Sequence, residues 1–161
     1  MNPASRITAA ANDRKPRLPG SLQANRRLSQ WLRLRADGAV EVRSGKVEIG
    51  QGILTALAQI VACELEVRIE RIRMVAAATG SSPDEAVTSG SLSVQDSGTA
   101  LRFAAAEARG LFVAEAARRA GLDAAALRVI DGVFFAAGKP DRKSTRLNSS
   151  HLRLSRMPSS A

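Results

Sequence analysis

The chain has 161 residues, about the length of one domain, and 45% of them are hydrophobic, which is enough to bury a core. No apolar run approaches the ~20 residues of a membrane span, and no secretory signal begins the chain, so we expect a cytoplasmic protein. The net charge of +9 would suit nucleic acid, but residues 1–17 carry +3 and residues 141–161 carry +4, whereas residues 18–140 carry only +2. A nucleic-acid partner is therefore not expected, because the basic charge belongs to the two ends.

Residues 1–17 are interpreted as a flexible leader, and residues 18–140 as one domain that begins with a β-hairpin. Apolar and basic residues alternate over 31–35, Asp37 and Gly38 form a strong turn signal, and residues 40–43 alternate again. The second strand is expected to extend over 45–49 into a turn that contains two glycines.

After this turn the hydrophobic period becomes helical and predicts a helix from Ile53 to about residue 66. Its apolar face is formed by Leu57, Ile60, Val61 and Leu65. The single cysteine, Cys63, rules out an internal disulfide and is expected to be a small buried hydrophobe. A strand over 69–77 would complete a strand–helix–strand crossover.

A polar loop over 79–91 leads to a longer predicted helix over 94–120, which ends at Gly121. Its inward face is expected to contain Leu101, Ala105, Ala108, Phe112 and Ala116. A second hairpin follows over 127–136, with Asp131 and Gly132 at its turn. The predicted fold class is α+β, as a hairpin–helix–strand–helix–hairpin layer.

The composition changes abruptly after Pro140. Residues 141–151 match the translation of a common short-read sequencing adapter, and residues 155–161 match its continuation after an index-sized gap. We interpret residues 141–161 as a translated adapter scar and exclude them from fold reasoning, the alternative being a natural basic tail. The natural protein is then expected to continue beyond Pro140. The only histidine, His151, lies in this scar, so no histidine chemistry is inferred.

Each predicted helix is preceded by a glycine-bearing turn with groups that can bind a ligand. The first turn offers backbone N–H groups and a glutamine amide, and the second offers several hydroxyls. The alternatives are a glycine turn needed only for steric reasons and ordinary helix capping by Ser or Thr. If the two turns meet, they can form one site. The candidate residues are Gly50, Gln51, Gly52, Thr88, Ser89, Gly90, Ser91 and Ser93.

Neither turn contains an acid–base pair or an activated nucleophile. Asp84 and Glu85 are adjacent acids, but they follow Pro83 in the polar loop and are interpreted as solvated loop charge. No metal ligand set is predicted, so the turns are candidate binding residues only.

These blocks resemble the molybdopterin-binding large subunit of the xanthine dehydrogenase and aldehyde oxidase family. Within it, the likeness is to the nicotinate dehydrogenase and isoquinoline oxidoreductase type of subunit, which is bacterial. The matching blocks are LPGSL at 18–22, WLR at 31–33, GKVEIGQGI at 45–53, TALAQI at 55–60, SPDE at 82–85 and TSGSLS at 88–93. Their order and spacing make the match far more specific than the glycine turn alone.

The resemblance implies a function for both turns. The Gly-Gln-Gly turn, Gly50 to Gly52, and the Thr88 to Ser93 segment would contact molybdopterin or molybdenum cytosine dinucleotide. The metal would be held through the pterin. It further implies an oxidoreductase that hydroxylates an N-heterocycle or an aldehyde with oxygen from water. Its electrons would leave through iron–sulfur clusters on a ferredoxin-like small subunit.

The sequence also departs from the family. The catalytic glutamate of the family and its further cofactor-binding domain lie downstream and are not matched here. The chain is therefore expected to be an N-terminal fragment that is inactive alone and needs the missing C-terminal part of the same subunit. The alternative hypothesis is a stand-alone α+β module that binds a phosphate or nucleotide anion without catalysis.

Overall fold

The computed structural model describes residues 18–136. The predicted leader, residues 1–17, and the predicted adapter scar, residues 141–161, lie outside the described residues. The helices and strands within this part of the chain, in order, are α1 Leu28–Trp31, β1 Leu32–Leu34, β2 Val40–Arg43, α2 Ile53–Leu65, β3 Ile72–Val75, α3 Thr99–Ala120, β4 Leu127–Ile130 and β5 Val133–Ala136.

The first three strands form one sheet in the order β1-β2-β3. β1 and β2 are the predicted antiparallel hairpin, with Leu32 opposite Val42. β2 and β3 are parallel, with Val40 opposite Ile72, so α2 is the crossover helix that the sequence predicts. β4 and β5 form a separate two-stranded sheet with Ile130 opposite Val133. The α+β fold class is confirmed.

The core lies between α2, α3 and the first sheet. Leu57 and Val61 on α2, and Leu101 and Ala105 on α3, have no exposed surface, as the helical period predicts. Alanines dominate the α3 face, which lets the two helices approach closely. At Gly98 a Cβ would stand only 3.0 Å from Ile60 Cδ1, so a larger residue there would push the helices apart.

Several predicted boundaries are wrong, each for a local reason. Trp31 ends the one-turn helix α1 instead of starting the strand, because its fully buried indole donates its Nε1–H to the Asn25 carbonyl at 2.8 Å. Residues 69–71 form a 3₁₀ turn before β3, and the strand ends at Val75. The second long helix begins with a π-helical segment, Val94–Gly98.

Cys63 is exposed, which contradicts its predicted burial. It lies on α2 between the buried Ala62 and the half-buried Glu64, at the edge of the apolar stripe. Helical spacing alone does not decide which edge position a neighbouring element covers. Gly121 ends α3 in the left-handed conformation with φ of 64°, as predicted.

Candidate cofactor-binding site

The glycine turn between β2 and α2 is stabilised by its own glutamate. Glu48 Oε1 accepts hydrogen bonds from the N–H groups of Gly50 at 2.9 Å and Gly52 at 2.8 Å, and Oε2 accepts one from Leu54 at 3.1 Å. Gly50 and Gly52 have φ of 95° and 75°, a region that glycine tolerates. The carboxylate thus lies where an external anion would bind at the start of α2.

Gln51 also folds back on the turn. Its Nε2 donates to the Val47 carbonyl at 2.9 Å, and its Oε1 accepts from the Ile49 N–H at 2.6 Å. The segment 45–49 is therefore a loop closed by side chains, and the predicted strand extension there is wrong. The prediction that this turn directs its N–H groups at a ligand is wrong for Gly50 and Gly52, whose N–H groups bond to Glu48.

Glu48 was missed as a site residue, although the sequence contains the signal. A carboxylate placed two residues before one glycine and four before another can reach the N–H groups of both, as side chains do at helix N-termini. Hydrogen bonds from the backbone N–H groups of Gly52 and Leu54 hold the pKa of the Glu48 carboxyl below its ordinary value.

We expect Glu48→Gln to destabilise the chain at neutral pH and to have no effect in acid. A lowered pKa in the folded state contributes stability that is present above the ordinary carboxyl pKa of about 4.3 and is lost as pH falls through the folded value. The measurement is the urea midpoint of both proteins across this range, with Glu70→Gln at an exposed glutamate as control. A difference between the proteins that persists in acid would contradict this role.

The second turn meets the first, as predicted. The Val47 N–H donates to the Thr88 hydroxyl oxygen at 2.9 Å, which joins the segment before Gly50 to the segment before Gly90. Gly90 and Ser91 both have positive φ, 66° and 56°. Ser89, Gly90 and Ser91 are exposed, whereas Thr88 and Ser93 are half-buried.

The capping alternative for these hydroxyls is not supported. Ser93 precedes the π-helical segment, already has helical φ and ψ, and its side chain makes no capping hydrogen bond there. Gly98, the residue before α3, offers no side chain. The exposed hydroxyls of Ser89 and Ser91 remain available to hydrogen-bond a ligand.

Glu85 is buried, which contradicts its interpretation as solvated loop charge. Only 7% of the residue is exposed, and its carboxylate accepts hydrogen bonds from the Ser21 hydroxyl at 2.7 Å and the Gly45 N–H at 2.7 Å. The hydroxyls of Ser44 and Ser97 also lie within 3.0 Å and 2.9 Å of Oε2. Asp84 is exposed, as predicted.

Lys46 is the second buried charge beside the turns and was not predicted. It is 3% exposed, and its Nζ donates to the carbonyl oxygens of Glu85 at 2.8 Å and Val87 at 3.0 Å. The segment around Thr88 is therefore fastened to the first turn from both sides.

The surface around the two turns is apolar. Val47, Ile49, Val87 and Leu92 are all exposed, Ile49 to 75%. Next to them stand the open backbones of Gly50 and Gly52, where a Cβ would meet nothing within 4 Å. Apolar side chains with a few convergent polar groups are typical of small-molecule sites.

With this geometry in place, comparison with known proteins decides the family. A family model described as "Molybdopterin cofactor-binding domain" matches residues 14–155, which is most of the chain. The chain belongs to this family of molybdopterin cofactor-binding domains. The resemblance inferred from the sequence blocks, the fold and the molybdopterin cofactor are thereby confirmed.

Individual relatives agree with the family. The chain is similar to the B chain of nicotinate dehydrogenase from Pseudomonas putida, 39% identical over 112 residues, which is 70% of this chain and 9% of that protein. It is 32% identical to the beta chain of isoquinoline 1-oxidoreductase from Brevundimonas diminuta, over 79% of this chain and 17% of that protein. Among solved structures, the CO dehydrogenase of Oligotropha carboxidovorans matches with a TM-score of 0.61 and 29% identity, over 68% of this chain and 14% of that one.

This molybdopterin cofactor-binding domain thus spans less than a fifth of the length of these relatives. Two of them are named as subunits of oxidoreductases. Among residues 18–136, no helix is long and apolar enough to cross a membrane.

Proposed function

We propose that this chain is the N-terminal part of the large subunit of a molybdenum hydroxylase and forms one wall of its cofactor site. The observation that carries the proposal is the hydrogen bond between Val47 N–H and Thr88 Oγ1, because it brings the Gly50–Gly52 turn and the Thr88–Ser93 segment together. The family match to a molybdopterin cofactor-binding domain supports the same ligand.

The residues that would hold the cofactor fit its chemistry. Gly50 and Gly52 leave open space where a ligand can approach the backbone, and the hydroxyls of Ser89 and Ser91 are exposed. Hydroxyls and amides suit the ring nitrogens, carbonyl and phosphate of a pterin. The residues proposed to contact it are Gly50, Gln51, Gly52, Thr88, Ser89, Gly90, Ser91 and Ser93. Gln51 reaches a ligand only after its bonds to Val47 and Ile49 open.

The bound cofactor would supply the redox chemistry, and the domain would bind and orient it. The substrate class proposed is an N-heterocycle hydroxylated at a carbon next to nitrogen with oxygen from water, which the names of the nicotinate and isoquinoline relatives support. Aldehydes are the second class. An iron–sulfur small subunit, the C-terminal part of the large subunit and a cytoplasmic location belong to the same proposal.

The alternative, a stand-alone phosphate-binding module, is not favoured. Its strongest feature was the set of N–H groups in the first turn, and the Glu48 carboxylate already bonds to those of Gly50 and Gly52. A phosphate would have to displace this carboxylate against like-charge repulsion.

Two measurements test the proposal. In independently assembled genomic DNA, the reading frame is expected to continue past Pro140 for several hundred residues, next to a gene for an iron–sulfur subunit. A stop codon near Pro140 would refute the proposal.

In the second test, the purified chain is mixed with molybdopterin released from a molybdenum enzyme or with inorganic phosphate. Molybdopterin is expected to raise the melting temperature, because a ligand that binds only the folded state stabilises it. Stabilisation by phosphate alone would favour the binding module instead.

A further inference from the structure

The two turns are fastened together by a pair of buried charged side chains that cross in opposite directions. Glu85 reaches from the second segment to the backbone of the first, where its carboxylate accepts the Gly45 N–H at 2.7 Å. Lys46 reaches from the first segment to the backbone of the second, where Nζ donates to the carbonyls of Glu85 and Val87. We call this arrangement the Lys46–Glu85 clamp.

The clamp also joins parts of the chain that are far apart in sequence. Ser21 donates to Glu85 from the N-terminal 3₁₀ turn, Gly20–Gln23, and Ser97 donates from the π-helical segment before α3. Ser44, at the end of β2, lies 2.8 Å from Ser97, so the hydroxyls of both segments meet at the same carboxylate oxygen. One carboxylate thus connects the 3₁₀ turn, the end of β2 and the start of the second long helix.

The clamp replaces a β-ladder between the two segments. Residues 44–47 and 85–88 are not strands, and the bonds between them use side chains at one end of each pair. Within residues 18–136, Lys46 takes part in no salt bridge, so its ammonium group depends on these carbonyl oxygens. Buried charged groups that lose their partners are costly, which makes the register between the segments specific.

We propose that Glu85 and Lys46 are positioning residues for the cofactor site: the clamp holds the Gly50–Gly52 turn and the Thr88–Ser93 segment at one fixed spacing before a ligand binds. The inference rests on the proposed function for the identity of that ligand. A site whose groups are preorganised by supporting hydrogen bonds does not have to order them on binding.

The spacing can be measured directly in the 161-residue chain. In a Cys63→Ser background, spin labels at Ile49→Cys and Leu92→Cys report the distance between the two segments, since both positions are exposed and neither is a proposed contact. The test variant is Glu85→Ala. Asp84→Asn is the matched control, because Asp84 is the adjacent acid and is exposed.

Glu85→Gln is the conservative variant. Its carbonyl oxygen can still accept the Gly45 N–H, and its amide can donate to Ser21, whose hydroxyl then accepts. Lys46→Met keeps the apolar stem and removes the ammonium group, so it tests the other half of the clamp.

We expect one narrow distance population in the unsubstituted chain, in Asp84→Asn and in Glu85→Gln, and a broad distribution in Glu85→Ala and Lys46→Met. Far-UV circular dichroism is expected to stay unchanged in all of them. A narrow distribution in a folded Glu85→Ala variant would overturn the proposal. If that variant unfolds, Lys46→Met decides, and a narrow distribution or loss of helical signal there would also overturn it.

The affinity for molybdopterin supplies a second readout. We expect Glu85→Ala to weaken binding roughly 10-fold or more, the loss typical of supporting residues, and Glu85→Gln to restore it. The distance measurement needs no cofactor. An unsubstituted chain with a single narrow distance that fails to bind molybdopterin would therefore contradict the proposed function and leave the clamp intact.

Discussion

Replacement of Gly45 by alanine is expected to lower the free energy of unfolding by about 1–3 kcal/mol and to abolish binding of molybdopterin. A Cβ at this position would overlap the Pro83 carbonyl oxygen and stand 3.0 Å from Glu85 Cβ. The carbonyl belongs to the backbone and cannot rotate away, so the 83–85 segment has to move. Movement of this segment withdraws the Glu85 carboxylate from the Gly45 N–H.

Urea denaturation of the variant and of Gly110→Ala gives a matched test. Gly110 is an exposed glycine in the middle of α3 with nothing within 4 Å of a Cβ. There alanine should stabilise the helix by about 0.5–1 kcal/mol, because glycine loses more backbone entropy on folding. If Gly45→Ala is as stable as the parent and binds normally, the close packing of the two segments is not needed for the site.

Replacement of Trp31 by alanine is expected to cost about 3–5 kcal/mol, the range for a large aromatic side chain removed from a core. Trp31 is fully buried, and its indole N–H binds the Asn25 carbonyl. Asn25 in turn bonds with its side chain to both the N–H and the carbonyl of Asp84. The loss should therefore spread from the core to the segment that carries Glu85.

Trp31→Phe separates the two contributions. The ring retains most of the buried apolar surface, and the Asn25 carbonyl loses its donor, so a smaller loss of about 1–3 kcal/mol is expected. Trp31 is the only tryptophan, so unfolding has to be followed by far-UV circular dichroism. Equal losses in the two variants would mean that the hydrogen bond, and not the packing of the ring, stabilises this region.

The elements of the fold could be predicted because their signals are local. The period of apolar residues places α2 and α3 within a few residues of their observed ends, and Gly121 ends α3 where expected. Asp37 with Gly38, and Asp131 with Gly132, mark the two hairpin turns correctly. The order of sequence blocks was also sufficient to identify the cofactor, since the family match agrees with it.

The organisation of the site depended on contacts that no local pattern contains. Glu85 looked like loop charge because its neighbours are polar, yet its partners are 12 to 64 residues away in the chain. Lys46 meets carbonyl groups about 40 residues away, and Cys63 is exposed because no element covers that edge of α2.

By itself, therefore, the sequence determined the helices, the hairpins, the meeting of two glycine-bearing turns and the family of the cofactor. Only the tertiary structure decided which polar groups in those turns are free. It assigns the Gly50 and Gly52 N–H groups to Glu48, turns the Gln51 amide back on its own loop and buries Glu85 with Lys46 between the two segments. The physical reason is that a helix or a turn is set by near neighbours, whereas the burial and pairing of a polar side chain are set by whatever the fold brings against it.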